Sequence, residues 1–207
     1  MTHAALLPLS RCGHDIHRMG ATGLLLIQQE AGKGTSASLL ADTQDTMQRL
    51  YPESKGKCSF EYKLYRESES SRFLQYFTHS RSQNTVFCVL GQGDKQEAIA
   101  FDQEFDAILA TKLGQFKPRS SVRGEGTLYE IDNFRIGVVS LMQQSTLKGV
   151  IVEVELLPCE FVEAAKPAIQ EFWRHCNLKG VQFFGDRAGK STALDTAVQY
   201  ATLIRAR

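Results

Sequence analysis

The sequence predicts an α+β fold, a mainly antiparallel, β-barrel-like sheet of about eight strands with flanking helices. Three observations lead to this prediction. Apolar and polar residues alternate with a period of two in several short segments between positions 56 and 157, as in half-buried strands. Turn residues separate these segments, which is typical of antiparallel hairpins. The strands also come in blocks, which disfavours a doubly wound parallel sheet.

The first predicted elements are a buried strand and an amphipathic helix. The strand covers residues 23–29, where a run of Leu and Ile follows a glycine. The helix is capped by Thr35 or Ser36 and ended by Pro52. Its apolar side chains recur at helical spacing at Leu39, Leu40, Thr43, Met47 and Leu50.

Two blocks of strands follow, separated by a second helix. The first block alternates at residues 60–64, 73–78, 85–90 and 97–101. Asp102 can cap the second helix, which Gly114 and Pro118 end. The second block has strands at residues 127–131, 134–142 and 147–157, the first two joined by an Asp-Asn turn.

Two helices are predicted after the last strand. One has an apolar face running from Val162 to Cys176, and Pro167 marks its start or a kink. The other starts at a capping box formed by Thr192 and Asp195. Its inward side chains are predicted to be Leu194, Ala197, Val198, Ala201 and Ile204.

The chain of 207 residues suits one core, so residues 19–207 are predicted to form a single domain. Residues 1–18 are acid-poor and carry three histidines and two arginines. A transit peptide is one reading of that segment. We interpret it instead as a flexible leader or an overlong gene start, because Met19 can itself begin the protein.

The composition excludes several classes of protein. The net charge of +1 provides no general attraction to nucleic acid or to acidic membranes. Five scattered cysteines without a paired motif indicate a reducing compartment. No apolar run approaches the ~18 residues of a membrane-spanning helix. We therefore expect neither direct nucleic-acid binding nor membrane insertion.

Motifs for phosphate or metal binding are incomplete. The segment from Gly185 to Thr192 resembles a phosphate loop, but three residues rather than four separate its glycines. A nucleotide- or phosphate-binding enzyme, using this loop or a barrel pocket, is the alternative function. Cys12, His14 and His17 lack a fourth zinc ligand. We expect no cofactor and no metal.

The remaining candidates for chemistry have simpler explanations. Cys159 and His175 could form a nucleophile and base, but free cysteines are usually packing residues. Glu153 and Glu155 share one strand face, which we interpret as solvated. A basic stretch suits an acidic protein surface as well as phosphate; it comprises Lys112, Lys117, Arg119 and Arg123. No catalytic residue is predicted.

Several segments in order resemble the family of Mediator complex subunit 20. The similar segments are MGAT at 19–22, FDAILATKLGQF at 105–116, RGEGTLYEIDNFRIGVVSLM at 123–142, LKGVIVEVELLPC at 147–159, FFGDR at 183–187 and DTAVQYATLIR at 195–205. Residues 33–96 match weakly. The order and spacing of the segments carry the resemblance, since no single segment is diagnostic.

This resemblance implies a non-catalytic, nuclear protein of the Mediator head module. It implies a barrel-like fold, direct pairing with Mediator subunit 18, a position near subunit 8, and contact with the RNA polymerase II machinery through the complex. Paired aromatics in a polar, glycine-bearing loop are typical of contact residues. Phe183, Phe184 and Arg187 are therefore the predicted protein interface, with packing beneath the last helix as the alternative for the same residues.

Overall fold

The computed structural model describes residues 20–28, 36–50, 54–70, 72–91, 97–185 and 190–206. The strands within these ranges are β1 (Ala21–Ile27), β2 (Ser54–Glu67), β3 (Phe73–His79), β4 (Thr85–Leu90), β5 (Glu97–Asp102), β6 (Phe116–Ile131), β7 (Phe134–Gln143), β8 (Thr146–Leu156) and β9 (Val181–Phe184). The helices are α1 (Ser36–Leu50), α2 (Phe105–Thr111), α3 (Val162–His175) and α4 (Ala193–Arg205). None of these helices is long and apolar enough to cross a membrane. The predicted leader, residues 1–18, lies outside the described residues.

All nine described strands join one antiparallel sheet in the order β5-β4-β3-β2-β6-β7-β8-β1-β9. The α+β class and the antiparallel hairpins are confirmed. The barrel is not closed, because β5 and β9 are the two ends of the sheet and do not pair with each other.

The open sheet curls strongly. β3 and β8 are four strand spacings apart, which would be about 19 Å in a flat sheet. Their side chains nevertheless touch, since His79 Nε2 lies 3.2 Å from Glu153 Oε2. The helix α4 lies inside this curl and contacts β3, β4 and β5 near one end and β1 and β9 near the other. A helix therefore occupies the interior that the sequence suggested as a barrel lumen.

Three apolar clusters hold the layers together. The inner cluster packs α4 against the concave face and includes Phe60, Phe77 and Tyr200. Outside the sheet, one cluster packs α1 and α3 on the β7-β8-β1 region around Trp173. The other packs α2 on β3 and β4 around Phe105. Strand β8 is consequently buried on both faces.

Several elements differ from the prediction, and α2 begins at Phe105 with Glu104 rather than Asp102 as its N-cap. β6 begins at Phe116, so Pro118 lies within a strand, at a shift in the β2–β6 register between Leu64 and Tyr65; prolines are tolerated at such irregularities. α3 begins at Val162, before Pro167. β9 was predicted as a loop, but it pairs with β1 from Gly23 to Leu26.

Candidate functional site

A buried polar network links α4 to the two distant parts of the curled sheet. Glu153 and Glu155 point inward from β8, and each is only 1% exposed. The sequence interpretation of these carboxylates as a solvated face is therefore wrong. The network also contains side chains from β2, the end of β3, the β3–β4 turn, β7 and α4: Cys58, His79, Arg81, Arg135 and Tyr200.

Glu153 is bound by three side chains. The Tyr200 hydroxyl donates to Glu153 Oε2 over 2.9 Å, and His79 Nε2 lies 3.2 Å from the same oxygen. The Arg81 guanidinium forms an ion pair with the other oxygen, Oε1. Hydrogen bonds and a positive charge together offset the cost of burying the carboxylate.

Glu155 is held by two cations and the backbone. Arg81 pairs with its Oε2, and Arg135 Nη1 lies 3.3 Å from the same atom. The Gly20 amide donates to Glu155 Oε1 over 2.8 Å. Arg81 thus bridges both glutamates and ties the β3–β4 turn to β8.

The protonation of His79 follows from its hydrogen bonds. The backbone N–H of Arg81 donates to His79 Nδ1 over 3.1 Å, so Nδ1 is an acceptor and the proton of the neutral ring is on Nε2. Burial, then the positive charge of Arg81, holds the pKa of His79 well below its ordinary value of 6.5. Burial also raises the pKa of the Tyr200 hydroxyl well above its ordinary value. The ring and the phenol are therefore both neutral hydrogen-bond donors to Glu153.

A metal site is the chemical alternative for this cluster. Cys58, His79 and Glu153 offer ligand atoms that all lie within 4.8 Å of one another. A metal on His79 Nε2 would place the proton of the neutral ring on Nδ1, where the backbone N–H of Arg81 already donates. Burial raises the pKa of the Cys58 thiol, which disfavours the thiolate that binds metals, and Arg81 already neutralises Glu153. The donor set does not fit a metal ion.

The arrangement is suited to structure rather than to turnover. Glu153 and Tyr200 are both almost fully buried, so a solute cannot reach their polar atoms unless α4 moves. Their partners come from positions 79, 81, 153 and 200, which no local pattern connects. Tyr200 was not among the side chains of the last helix that were predicted to face inward.

Two of the three predicted interface residues, Phe183 and Phe184, lie on the edge strand β9 rather than in a loop. Phe183 packs against the inner cluster. Phe184 faces the outer side, with its ring 5.4 Å from that of Trp173 and the Lys166 Nζ 5.3 Å from its centroid. Both side chains are half-buried. Arg187 is outside the described residues, and the assignment of these residues to an interface stays a prediction.

The phosphate-loop candidate is organised as a helix start. Residues 186–189 are not described. The Thr192 amide donates to Asp195 Oδ2 over 2.9 Å, and the Asp195 amide donates to Thr192 Oγ1 over 3.3 Å, which confirms the capping box. Lys190 Nζ lies 2.6 Å from Glu160 Oε2. Lys190 is therefore already paired with a carboxylate, and the start of α4 is capped by side chains of the protein itself.

The other candidate residues are dispersed. Cys159 precedes α3 and donates to the Phe161 carbonyl oxygen, whereas His175 is the last residue of this 14-residue helix. A helix of that length separates them by roughly 20 Å. In the basic stretch, Arg123 lies on the outer sheet face with its Nε 3.4 Å from Glu61 Oε1. The metal candidates Cys12, His14 and His17 are outside the described residues.

Comparison with known proteins places these features in a family. Residues 19–205 match the family described as TATA-binding related factor (TRF) of subunit 20 of Mediator complex. A relative from Schizosaccharomyces pombe, the Mediator of RNA polymerase II transcription subunit 20, is 32% identical over 145 residues, 69% of this chain and 72% of that protein.

Two solved structures have a similar arrangement of the chain. The PH1819 protein from Pyrococcus horikoshii has a TM-score of 0.50 and 13% identity, covering 90% of this chain and 99% of that chain. A chain in the structure of the S. pombe Mediator head module has a TM-score of 0.46 and 10% identity, covering 79% of this chain and 99% of that chain. At 13% identity, the similarity to the PH1819 protein concerns the fold alone.

Proposed function

Because this chain belongs to the family of subunit 20 of the Mediator complex, we propose that it is a non-catalytic subunit of the Mediator head module that pairs directly with subunit 18. In this proposal it lies near subunit 8, acts in the nucleus, and helps to couple regulators to transcription by RNA polymerase II. The observation that carries the proposal is the family match, which extends over nearly the whole described domain.

The interior of the fold supports a non-catalytic role. The helix α4 fills the concave face, and the acidic and basic groups beneath it bind one another. An enzyme with this sheet would need a pocket where such groups meet a substrate. Here the same groups connect parts of the protein, which leaves its outer surface for function.

Binding of a partner subunit is the function that such a surface serves. A stable heterodimer buries more than about 1,200 Å² and depends on a few aromatic or arginine anchors. We include Phe183, Phe184 and Arg187 among the contact residues, because the two phenylalanines belong to the terminal strand β9 and Arg187 follows them closely in the sequence. This assignment is separate from the pairing itself.

The decisive experiment is co-expression of this chain with subunit 18 from the same organism. We expect the two to elute together from a sizing column with the mass of a one-to-one complex. Tagging the endogenous protein should recover subunit 8 and the other head subunits by mass spectrometry. A monomeric chain that co-purifies with none of them would refute the proposal.

A charge reversal tests the contact residues separately. Arg187→Glu should weaken the pair with subunit 18 by at least about tenfold, since like charges across an interface cost several kcal/mol. The matched control is Arg49→Glu, which changes an exposed arginine in the last turn of α1. Equal affinities for the two variants would remove Arg187 from the interface and leave the pairing intact.

A further inference from the structure

Within the residues that the structure describes, strand β5 forms one edge of the sheet. Its one pairing among the described strands is with β4, from Thr85↔Asp102 to Leu90↔Glu97. Alternate backbone N–H and C=O groups of an edge strand point away from the sheet. Proteins usually protect such an edge with lysine, proline or a bulge. The sequence of β5, EAIAFD, contains neither lysine nor proline, and its pairing with β4 has no register shift.

Apolar rows of the sheet end at this edge. One row runs from Tyr76 through Cys88 to Ile99, and the next pairs Val86 with Phe101. The members of these rows that lie further from the edge, Tyr76, Val86 and Cys88, are buried under α2. Their last members are exposed, Ile99 by 44% and Phe101 by 36%. The rows therefore lack a neighbour in the position of a tenth strand.

A groove continues this apolar surface towards α2. The ring of Phe101 stacks on that of Phe105 with centroids 4.3 Å apart. Beside them lies a groove of about 750 Å³ whose lining is mostly apolar. Further lining residues are Leu74, Leu90, Leu113 and Phe116. A large exposed apolar surface of this kind marks an interaction site.

The charges around the edge are mostly negative. Glu97 lies on the same face of β5 as Ile99 and Phe101, because the three alternate along the strand. Asp102, Glu104 and Asp106 follow at the other end of the strand and are exposed. A segment that covers the apolar rows would therefore meet acidic groups at both ends.

We propose that β5 receives an extended segment of another protein, which adds to the sheet as a tenth strand. Its backbone would pair with the free N–H and C=O groups of β5. Its side chains on the groove face would be apolar opposite Ile99 and Phe101, and lysine or arginine opposite Glu97. This inference goes beyond the proposed function, because it specifies an edge, a binding mode and a sequence pattern that the pairing with subunit 18 does not require.

A second copy of this chain fits the edge less well. Two β5 strands paired antiparallel about Ile99 would place each Glu97 opposite a Phe101. Paired about Ala100, they would place Ile99 opposite Phe101 but each Glu97 opposite Gln103, beyond the end of the strand and without a positive charge. β5 has no basic residue to neutralise the glutamate. The pattern of charges therefore favours a different protein with basic residues.

Photo-crosslinking in cells tests this proposal. Ile99 is replaced by p-benzoylphenylalanine, the cells are irradiated, and the adducts are purified under denaturing conditions and mapped by mass spectrometry. We expect one adduct with another protein, at a segment that has apolar residues at alternate positions and Lys or Arg two residues beyond them. The matched control carries the same probe at Leu50, an exposed apolar residue of α1, the helix that packs on β7 and β8, and should not give this adduct.

Variants then test the recognition pattern. Glu97→Lys should lower the adduct yield by at least about tenfold, because it places like charges opposite each other. The substitution is at an exposed position, so the melting temperature should not change. Phe101→Asp should lower the yield similarly, because it puts a charge in the apolar row, and Leu50→Asp should leave the yield unchanged.

The outcomes separate this inference from the proposed function. An adduct with the predicted pattern supports the inference, whichever protein provides it, even if subunit 18 does not bind. The inference is wrong if the adducts are absent, remain within this chain, connect two copies of it, or fall on a helix or an acidic segment. It is also wrong if the yield does not respond to Glu97→Lys, while the pairing with subunit 18 would be unaffected by that result.

Discussion

The bridge that Arg81 makes between two buried glutamates should be one of the main contributors to stability. Its side chain is 11% exposed and pairs with Glu153 and Glu155. We compare Arg81→Met with Arg123→Met, the same chemical change at an arginine that is 71% exposed and pairs with Glu61. The two variants differ chiefly in the burial of the partner carboxylates.

The expected magnitudes differ severalfold. Removing one partner of a buried ion pair leaves an uncompensated charge and costs about 3–5 kcal/mol. An exposed pair contributes about 0–1 kcal/mol. With a urea m-value of about 3 kcal/mol per molar for a chain of this size, Arg81→Met should lower the midpoint by about 1 M or more. Arg123→Met should lower it by no more than about 0.3 M by the same conversion.

Urea unfolding at pH 7 and physiological salt measures the difference. Trp173 is the single tryptophan and is buried against the sheet, so its fluorescence reports loss of the core alongside far-UV circular dichroism. The double variant Arg81→Met/Glu153→Gln should lose less than the sum of its single variants, because it removes both charges of one pair. Equal midpoints for Arg81→Met and Arg123→Met would refute the reasoning.

Three further predictions concern the network and the packing around it. The pKa of His79 is held well below 6.5, so as pH falls below 6.5 the unfolded chain takes up a proton that the folded chain excludes. Its contribution to stability is complete above that pH and declines by up to about 1.4 kcal/mol per pH unit below it; His79→Gln should make the urea midpoint fall less steeply between pH 7 and 5.5. Thr192→Ala removes the acceptor for the Asp195 amide and should cost about 1 kcal/mol, or about 2–4 °C in calorimetry. Gly126→Ala would place a Cβ 1.8 Å from the Val138 carbonyl oxygen and should cost more than about 3 kcal/mol, measured as loss of soluble, cooperatively melting protein.

Matched controls accompany these three variants. Gly114→Ala introduces a Cβ that meets nothing within 4 Å and should change stability by less than about 1 kcal/mol; similar behaviour of the two glycine variants would contradict the steric argument. Thr111→Ala alters an exposed threonine near the end of α2 and should change the melting temperature less than Thr192→Ala. A pH profile of His79→Gln parallel to that of the unsubstituted protein would show that another group causes the acid sensitivity.

Local patterns predicted most elements because their causes are local. The alternation from Val150 to Val154 predicted β8, which the structure places at Thr146–Leu156. The side chains of Thr192 and Asp195 predicted the start of α4, since a capping box involves only residues within one turn. Such signals identify where a strand or a helix forms, but they do not identify what covers each of its faces.

Elements stabilised by distant partners were predicted less well. The strand β9 has only four residues and exists through pairing with β1, more than 150 positions earlier. β6 was predicted to start at position 127, and Pro118 was assigned to the end of the preceding helix. In the structure a register shift in the β2–β6 pairing occurs at this point and accommodates the proline.

By itself, the sequence determined the class of the fold, most of its strands and helices, and a resemblance that the family match confirmed. The elements depend on the period of apolar residues and on caps and turns. The resemblance depends on the order and spacing of the similar segments along the chain. Only the tertiary structure decided that the sheet stays open, that α4 fills it, and that Glu153 and Glu155 face inward towards Arg81. The physical reason is that alternation is the same for an exposed and a buried face. The cost of burying a carboxylate is offset only by partners that the curl of the sheet brings from far along the chain.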